Sequence, residues 1–186
     1  MIAVAGLSGS LRAGSLNARL LAAARTLAPN GCSVEALSVR GVPLYDGDVE
    51  AAEGLPAAVV ALKERIIAAD ALLLVTPEYN NSLPGVLKNT VDWLSRPPAD
   101  IERVFGNRPV GLIGATPGMG GTRLAQSAWL PVLRTLGTRP WFGRQLYVSG
   151  AHKLFDEAGE LIDEGTRERL GTYMREFAAF VAACKA

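Results

Sequence analysis

Residues 2–17 read IAVAGLSGSLRAGSLN and join a short apolar run to a glycine- and serine-rich segment. The apolar run at 2–8 predicts a buried β-strand, because it is short and glycine and serine follow at once. Between residues 16 and 29, alanine and leucine recur at helical spacing until Pro29, which predicts a helix. A buried strand, a tight loop and a helix in this order form a βα unit.

The same order of elements recurs along the rest of the chain. The predicted helix 122–137 contains Pro131, where we expect a kink or a restart, and the polar stretch 40–54 is expected to be a surface loop. The other strands are predicted at 32–39, 71–76, 108–116 and within 139–149, and the helices at 55–69, 84–95, 122–137 and 164–184. Five βα units predict a single α/β domain over residues 1–186, a doubly wound five-stranded parallel sheet with helices on both faces.

Composition excludes several classes of protein. The chain is 49% hydrophobic and 20% charged with a net charge of +1, so it lacks the basic excess of a nucleic-acid-binding protein. No apolar run approaches the roughly 20 residues of a membrane-spanning helix. The opening apolar run has no positive n-region and is interrupted by Ser8, Gly9 and Ser10, so we expect it not to be a signal peptide. We therefore expect a cytoplasmic protein with neither nucleic acid nor membrane as partner. Cys32, Cys184 and the lone His152 form no zinc-type motif, so no metal is expected.

The loop after the first strand has the composition of an anion site. In a sheet of this kind, ligands bind beyond the carboxyl ends of the strands. Ser10, Ser15 and Asn17 offer neutral donors, Arg12 adds a fixed positive charge, and the loop leads into a helix N-terminus. Neither a P-loop lysine nor GxGxxG is present, so the loop favours a monophosphate. The alternative is a simple connection in which Ser15 caps the helix.

Two further loops follow predicted strands. Residues 76–93, TPEYNNSLPGVLKNTVDW, place the ring of Tyr79 beside backbone amides that could contact a flat heterocycle. Lys88 and Asp92 are four residues apart on the helix that follows, which predicts a surface ion pair. Residues 115–123, ATPGMGGTR, predict a tight wall or a second anion-binding nest, although backbone flexibility alone would explain the glycines.

A hydrolase is disfavoured by the same first loop. Residues Gly6 to Ser10 nearly match the GxSxG nucleophile elbow, but Ser10 stands where the motif requires glycine. His152 would have to be the base, and no carboxylate in the sequence is marked to orient it.

The motifs carry a resemblance to a known family. GSLRAGSLN followed by TPEYNNSLPGVLKNTVDWLSRP resembles the NAD(P)H-dependent FMN reductases, nearest the bacterial chromate and quinone reductase branch. PLYDGD at 43–48 and the glycine-rich loop after the fourth strand fit the family as well. The resemblance implies a flavodoxin-like fold with strand order 2-1-3-4-5, and FMN at the switch point between strands 1 and 3.

The resemblance also implies which residues hold FMN and what they do. Because the flavin carries the chemistry, no catalytic side chain is expected, and Glu78 is expected to be structural, through its backbone or a partner chain. The expected residues are Ser10, Arg12, Ser15, Leu16 and Asn17 at the phosphate and ribityl chain, Pro77, Glu78, Tyr79 and Asn80 along the ring, and Thr116 and Gly118 on its other side.

The function implied by the resemblance is an NAD(P)H:acceptor oxidoreductase. Hydride would pass from NAD(P)H to FMN and then, in a ping-pong cycle, to a quinone, chromate, an azo compound or another flavin. Relatives assemble as homodimers or homotetramers with residues 78–95 near the interface, and the apolar helix 84–95 fits either a subunit contact or core packing. The alternatives are a flavodoxin-type electron carrier, a non-enzymatic flavin-binding regulator, and a reductase that releases reduced flavin.

Overall fold

A parallel sheet forms the centre of the protein in the computed structural model, which describes residues 1–185. Its strands are β1 (Ile2–Ser8), β2 (Cys32–Leu37), β3 (Ala71–Val75), β4 (Pro109–Ala115), β5 (Arg139–Pro140) and β6 (Leu146–Val148). The order is β2-β1-β3-β4-β5, and β6 also pairs with β4. Every ladder is parallel, so the predicted flavodoxin-like order 2-1-3-4-5 is confirmed.

The fifth position of the sheet is occupied by two short strands instead of one. β5 pairs with the start of β4, and β6 pairs with the end of β4. Pro140 has no N–H for a ladder, and Gly143 adopts a turn so tight that an added Cβ would lie 2.6 Å from Nε1 of Trp141. These residues divide the single strand that was predicted within 139–149.

Helices cover the sheet, with three differences from the sequence prediction. Helix α5 (Ile101–Phe105) lies where no element was predicted. The stretch 40–54, predicted as a loop, contains helix α2 (Gly47–Glu53), which buries none of its residues and so carries no apolar pattern. Helix α6 (Arg123–Thr135) continues unbroken through Pro131, so the expected restart is absent. The helices are α1 (Leu16–Thr26), α2 (Gly47–Glu53), α3 (Ala57–Ala68), α4 (Gly85–Leu94), α5 (Ile101–Phe105), α6 (Arg123–Thr135) and α7 (Glu164–Lys185), with 3₁₀ turns at Pro98–Asp100 and Ala151–Lys153.

The core has two layers, one on each face of the sheet. Strand β3 is buried throughout, with Leu73 facing the layer of α1 and α7, and Leu72 facing the layer of α3 to α6. Burying one such side chain stabilises the fold by about 1.5–3 kcal/mol. Helices on both faces confirm the doubly wound architecture. None of the helices within residues 1–185 is long and apolar enough to cross a membrane.

The carboxyl ends of β1, β3 and β4 meet at one edge of the sheet. Main-chain hydrogen bonds continue beyond the strands there, from Gly9 N to Val75 O at 3.0 Å and from Thr76 N to Ile113 O at 2.9 Å. The loops that follow these three strands therefore lie side by side.

Candidate functional site

The first loop ends in a capped helix that retains free backbone donors. Ser15 Oγ accepts a hydrogen bond from Ala18 N at 3.1 Å and so caps α1. The cap leaves the N–H groups of Leu16 and Asn17 without a partner inside the helix, because first-turn amides have none. The loop can therefore both cap the helix and bind an anion, because Ala18 N–H makes the capping bond while the N–H groups of Leu16 and Asn17 stay available to a ligand.

Arg12 supplies the positive charge beside these amides. Its side chain forms no ion pair with any residue in the range 1–185, and its backbone N–H donates to Ser10 Oγ at 3.4 Å. The carbonyl of Arg12 accepts from Ser15 N at 3.1 Å, which closes the loop into a turn. The guanidinium is thus available to an anion at the start of α1.

The Asn17 side chain has a role that the sequence did not reveal. Its Nδ2 donates to the carbonyl of Ala115 and its Oδ1 accepts from the N–H of Ala115, both at 2.9 Å. Asn17 was expected at the phosphate, but its amide instead ties α1 to the end of β4, 98 residues away. Its backbone N–H is the group left for a ligand.

The second loop forms a β-hairpin turn. Tyr79 and Ser82 exchange main-chain hydrogen bonds of 3.1 and 3.0 Å. Asn80 and Asn81 have positive φ angles of 51° and 60°, as a type I′ turn requires. Tyr79 is 47% exposed beside the first loop, while Asn80 lies at the tip of the turn.

Glu78 caps helix α6 with its side chain. Its Oε2 accepts from Leu124 N at 2.9 Å and from Ala125 N at 3.0 Å. The N-cap residue, Thr122, makes no capping bond of its own, and its Oγ1 instead accepts a hydrogen bond from Gln126 Nε2. A carboxylate at a helix N-terminus is favourable, so Glu78 is structural, through its side chain within the same chain.

The third loop forms a wall with few free donors. The N–H of Thr116 donates to Val148 O at 2.9 Å and that of Gly118 to Thr116 Oγ1 at 3.2 Å, while Pro117 has no N–H. Of the two readings of 115–123, residues 116–118 therefore favour a tight wall over an anion-binding nest.

Glycine allows the first two loops to touch. A Cβ placed on Gly9 would lie 2.8 Å from Cδ of Pro77 and 3.0 Å from Cγ of Pro84. Any side chain at this position would therefore push the loops apart. The contact closes one end of the space between them.

The three loops together enclose an open cleft at the β1/β3 end of the sheet. All predicted site residues line it except Asn80 and Gly118, and Ala115 and Pro117 are additional. Ala115 is the last residue of β4, and Pro117 follows two residues later. Both could have been predicted to line the site from their position at the end of the strand. The cleft is lined by Ser10, Arg12, Ser15, Leu16, Asn17, Pro77, Glu78, Tyr79, Ala115, Thr116 and Pro117.

The donor set of this cleft fits a flavin mononucleotide. Free amides at the start of α1 and the unpaired Arg12 suit a single phosphate group. Pro77, Tyr79 and Pro117 give apolar and aromatic surface for a flat ring. Glu78 is the one carboxylate in the lining, and its Oε2 accepts hydrogen bonds from two backbone amides of α6.

The motif at residues 43–48 lies outside this cleft and packs on α4. Trp93 Nε1 donates to Pro43 O at 2.9 Å, and Asn89 Oδ1 accepts from Tyr45 N at 2.8 Å. Nearby, Arg96 Nε pairs with Glu50 Oε2 at 2.8 Å, and this hydrogen bond lowers the pKa of the Glu50 carboxyl. The segment therefore supports the helix that follows the second loop.

The sheet order β2-β1-β3-β4-β5, together with a cleft suited to a phosphate at the β1/β3 switch point, defines a flavodoxin-like protein. The family model of the NADPH-dependent FMN reductases matches residues 2–153, and the chain belongs to this family. The chain is thus an oxidoreductase that uses FMN and NAD(P)H, as the sequence motifs predict.

Individual relatives agree with this assignment. An NAD(P)H-dependent FMN reductase of Pseudomonas aeruginosa is 46% identical over 167 residues, which is 90% of this chain and 88% of that protein. A quinone reductase of Escherichia coli is 37% identical over 185 residues, covering 98% and 96%. The structure of FerB, a flavoenzyme NAD(P)H:(acceptor) oxidoreductase from Paracoccus denitrificans, superposes with a TM-score of 0.87 at 32% identity over 98% of both chains.

Proposed function

We propose that this enzyme reduces quinones with NAD(P)H, using FMN retained in the cleft. The observation that carries the proposal is the cleft itself, where an unpaired arginine and free helix amides stand beside an exposed aromatic hairpin. FMN held by these residues would supply the hydride chemistry that links NAD(P)H to the acceptor. Quinone is the preferred acceptor class because similar proteins from Escherichia coli and Burkholderia are quinone and 2-hydroxy-1,4-benzoquinone reductases.

The first loop binds the phosphate and the ribityl chain in this proposal. Arg12 supplies charge, Ser10 and Ser15 supply hydroxyl groups, and the N–H groups of Leu16 and Asn17 complete the cradle. Bonds from backbone N–H groups and from arginine to an ionised phosphate are among the stronger hydrogen bonds in proteins.

The second and third loops orient the ring. Pro77 and Tyr79 lie on one side and Thr116 on the other, with Asn80 and Gly118 as the neighbouring turn residues. Glu78 is held by α6, so we assign it no proton transfer. An open cleft with little side-chain selectivity suits several flat or small acceptors, so chromate, azo compounds and free flavin are secondary substrates.

We also propose that the protein is cytoplasmic, where NAD(P)H is supplied, and that it self-associates as a homodimer or homotetramer. The apolar residues of α4 do not carry that proposal, because Leu87, Val91, Trp93 and Leu94 are buried within the chain. Its support is a groove of about 390 Å³ between α4, α5 and α6, whose surface is mostly apolar. The groove is lined by Lys88, Val91, Asp92, Ser95, Ile101, Pro131, Val132, Thr135 and Leu136.

The test is an anaerobic absorbance spectrum of the FMN-loaded protein. Adding NADPH or NADH should bleach the flavin band, and adding a benzoquinone should restore it over many cycles. A flavin band that NAD(P)H leaves unchanged would contradict the proposal and favour an electron carrier or a regulator.

A reductase that releases its flavin is the second candidate, because one relative is an FMN reductase. Gel filtration of the loaded protein separates the two. FMN that stays with the protein through the column is a fixed cofactor, as proposed, whereas FMN that elutes separately is a substrate.

A further inference from the structure

A second cavity lies on the other side of the first loop. It occupies about 250 Å³ between that loop, α1 and the end of β2. It shares only Ser10 and Arg12 with the cleft described above. Its lining consists of Ser8, Ser10, Leu11, Arg12, Ala18, Leu21, Ala36, Leu37, Ser38, Val39 and Arg40.

The charged side chains that line this second cavity are all positive. Two arginines line it and no carboxylate does. Arg40 Nη2 donates to Leu11 O at 2.6 Å, and Arg40 N donates to Ser38 Oγ at 3.1 Å. These bonds fix the guanidinium next to the first loop and leave its other N–H groups free, since Arg40 forms no ion pair within residues 1–185.

A buried hydroxyl group in the lining has no partner. Ser8 is 9% exposed, and its Oγ is the buried side-chain polar atom without a hydrogen bond in the described part of the chain. Side chains alternate along a strand, and a Cβ on Gly6 would meet Leu21 of α1 at 2.5 Å. Ser8, two residues further, therefore faces α1, on the side where the second cavity lies.

We propose that the second cavity binds a phosphate monoester or inorganic phosphate, apart from the phosphate of FMN. Guanidinium forks and serine hydroxyls are suited to tetrahedral oxyanions, and a bound oxygen would satisfy the Ser8 hydroxyl. The same chemistry has two sources, the 2′-phosphate of NADPH and free inorganic phosphate. The first source rests on the proposed function, and the second does not.

Calorimetric titration of FMN-saturated protein with inorganic phosphate tests the site, because FMN then fills the other cradle. Arg40→Ala should weaken phosphate binding at least tenfold, and Ser8→Ala several-fold. Arg25→Ala, which removes an exposed arginine from the far end of α1, should leave it unchanged. The FMN affinity of each variant shows whether the first loop has kept its shape.

Titrations with NADP⁺ and NAD⁺ on the same proteins identify the source without requiring turnover. A tenfold loss for NADP⁺ with unchanged NAD⁺ binding in Arg40→Ala supports the site and assigns it to the 2′-phosphate. A loss for inorganic phosphate alone supports the site and assigns it to the free ion.

The proposal would be overturned if Arg40→Ala and Ser8→Ala bound inorganic phosphate as tightly as the wild type does, and also bound NADP⁺ as tightly as the wild type does. A large fall in the melting temperature of ligand-free Ser8→Ala with unchanged phosphate binding would also overturn it, since the hydroxyl would then be structural. Neither outcome depends on whether NAD(P)H bleaches the flavin, so a failure here is distinct from a failure of the proposed function.

Discussion

At the scale of single residues, Arg12 has the most direct consequence for the cofactor. It is the fixed positive charge of the first loop and pairs with no carboxylate among residues 1–185. Arg12→Ala should weaken FMN binding by about 1.5–3 kcal/mol, or roughly ten- to a hundredfold. Titration of the apoprotein with FMN, followed by flavin fluorescence, measures this. Arg25→Ala is the matched control, and an unchanged Kd in Arg12→Ala would refute the phosphate assignment.

Asn17 affects stability more than binding. Asn17→Ala removes both hydrogen bonds to Ala115 and leaves a buried N–H and a buried carbonyl without partners. Each unsatisfied group costs about 1–3 kcal/mol, so the free energy of unfolding in urea should fall by that amount or more. Asn30→Ala, at an exposed turn, is the control and should change little. A variant as stable as the wild type would show that Asn17 does not join α1 to β4.

Residue types at the site could be predicted from the sequence, but their partners could not. The glycines, serines and arginine of the first loop indicate an anion site because they are close together in the chain. The bonds of Asn17 to β4 and of Glu78 to α6 span 98 and 46 residues, and no local pattern encodes such distances. Only the fold brings these groups together.

At the scale of elements, Glu78 couples the second loop to α6. Glu78→Ala should reduce stability by about 0.5–2 kcal/mol, as expected for loss of a helix cap, and Glu78→Gln should reduce it less because one oxygen can still accept. Thermal unfolding compares the two variants. A large fall in kcat with unchanged stability would instead mean that Glu78 takes part in the reaction.

Glu50 of α2 forms an ion pair with Arg96, two residues after the end of α4. This pair makes the free energy of unfolding depend on pH. The hydrogen bond from Arg96 lowers the pKa of Glu50 in the folded state, so the pair stabilises the fold above the ordinary carboxyl pKa near 4.5. That contribution disappears as the pH falls through the lower folded value. Glu50→Gln should therefore have a lower melting temperature than the wild type at pH 7, and the difference should shrink steadily as the pH falls below the ordinary carboxyl pKa. A difference that stays constant with pH would exclude the ion pair as its cause.

Most elements could be predicted from sequence because their buried faces are apolar and glycine or proline marks their ends. Helix α2 could not, since every one of its residues is at least partly exposed and Asp46 begins it through a side-chain bond to Asp48 N of 2.9 Å. The division of the last strand position into β5 and β6 also depends on packing against β4, which local patterns do not describe.

At the scale of the whole molecule, the groove between α4, α5 and α6 predicts the oligomeric state. Thr135 lies in this groove at the exposed last turn of α6, so Thr135→Glu adds a carboxylate to the proposed contact without disturbing the core. Sedimentation velocity should show a dimer or tetramer for the wild type and a shift toward monomer for the variant, because burying an unpaired carboxylate is costly. Thr26→Glu places the same charge at the exposed last turn of α1, outside the groove, and should remain associated. Equal association of both variants would place the interface elsewhere, and a monomeric wild type would refute self-association itself.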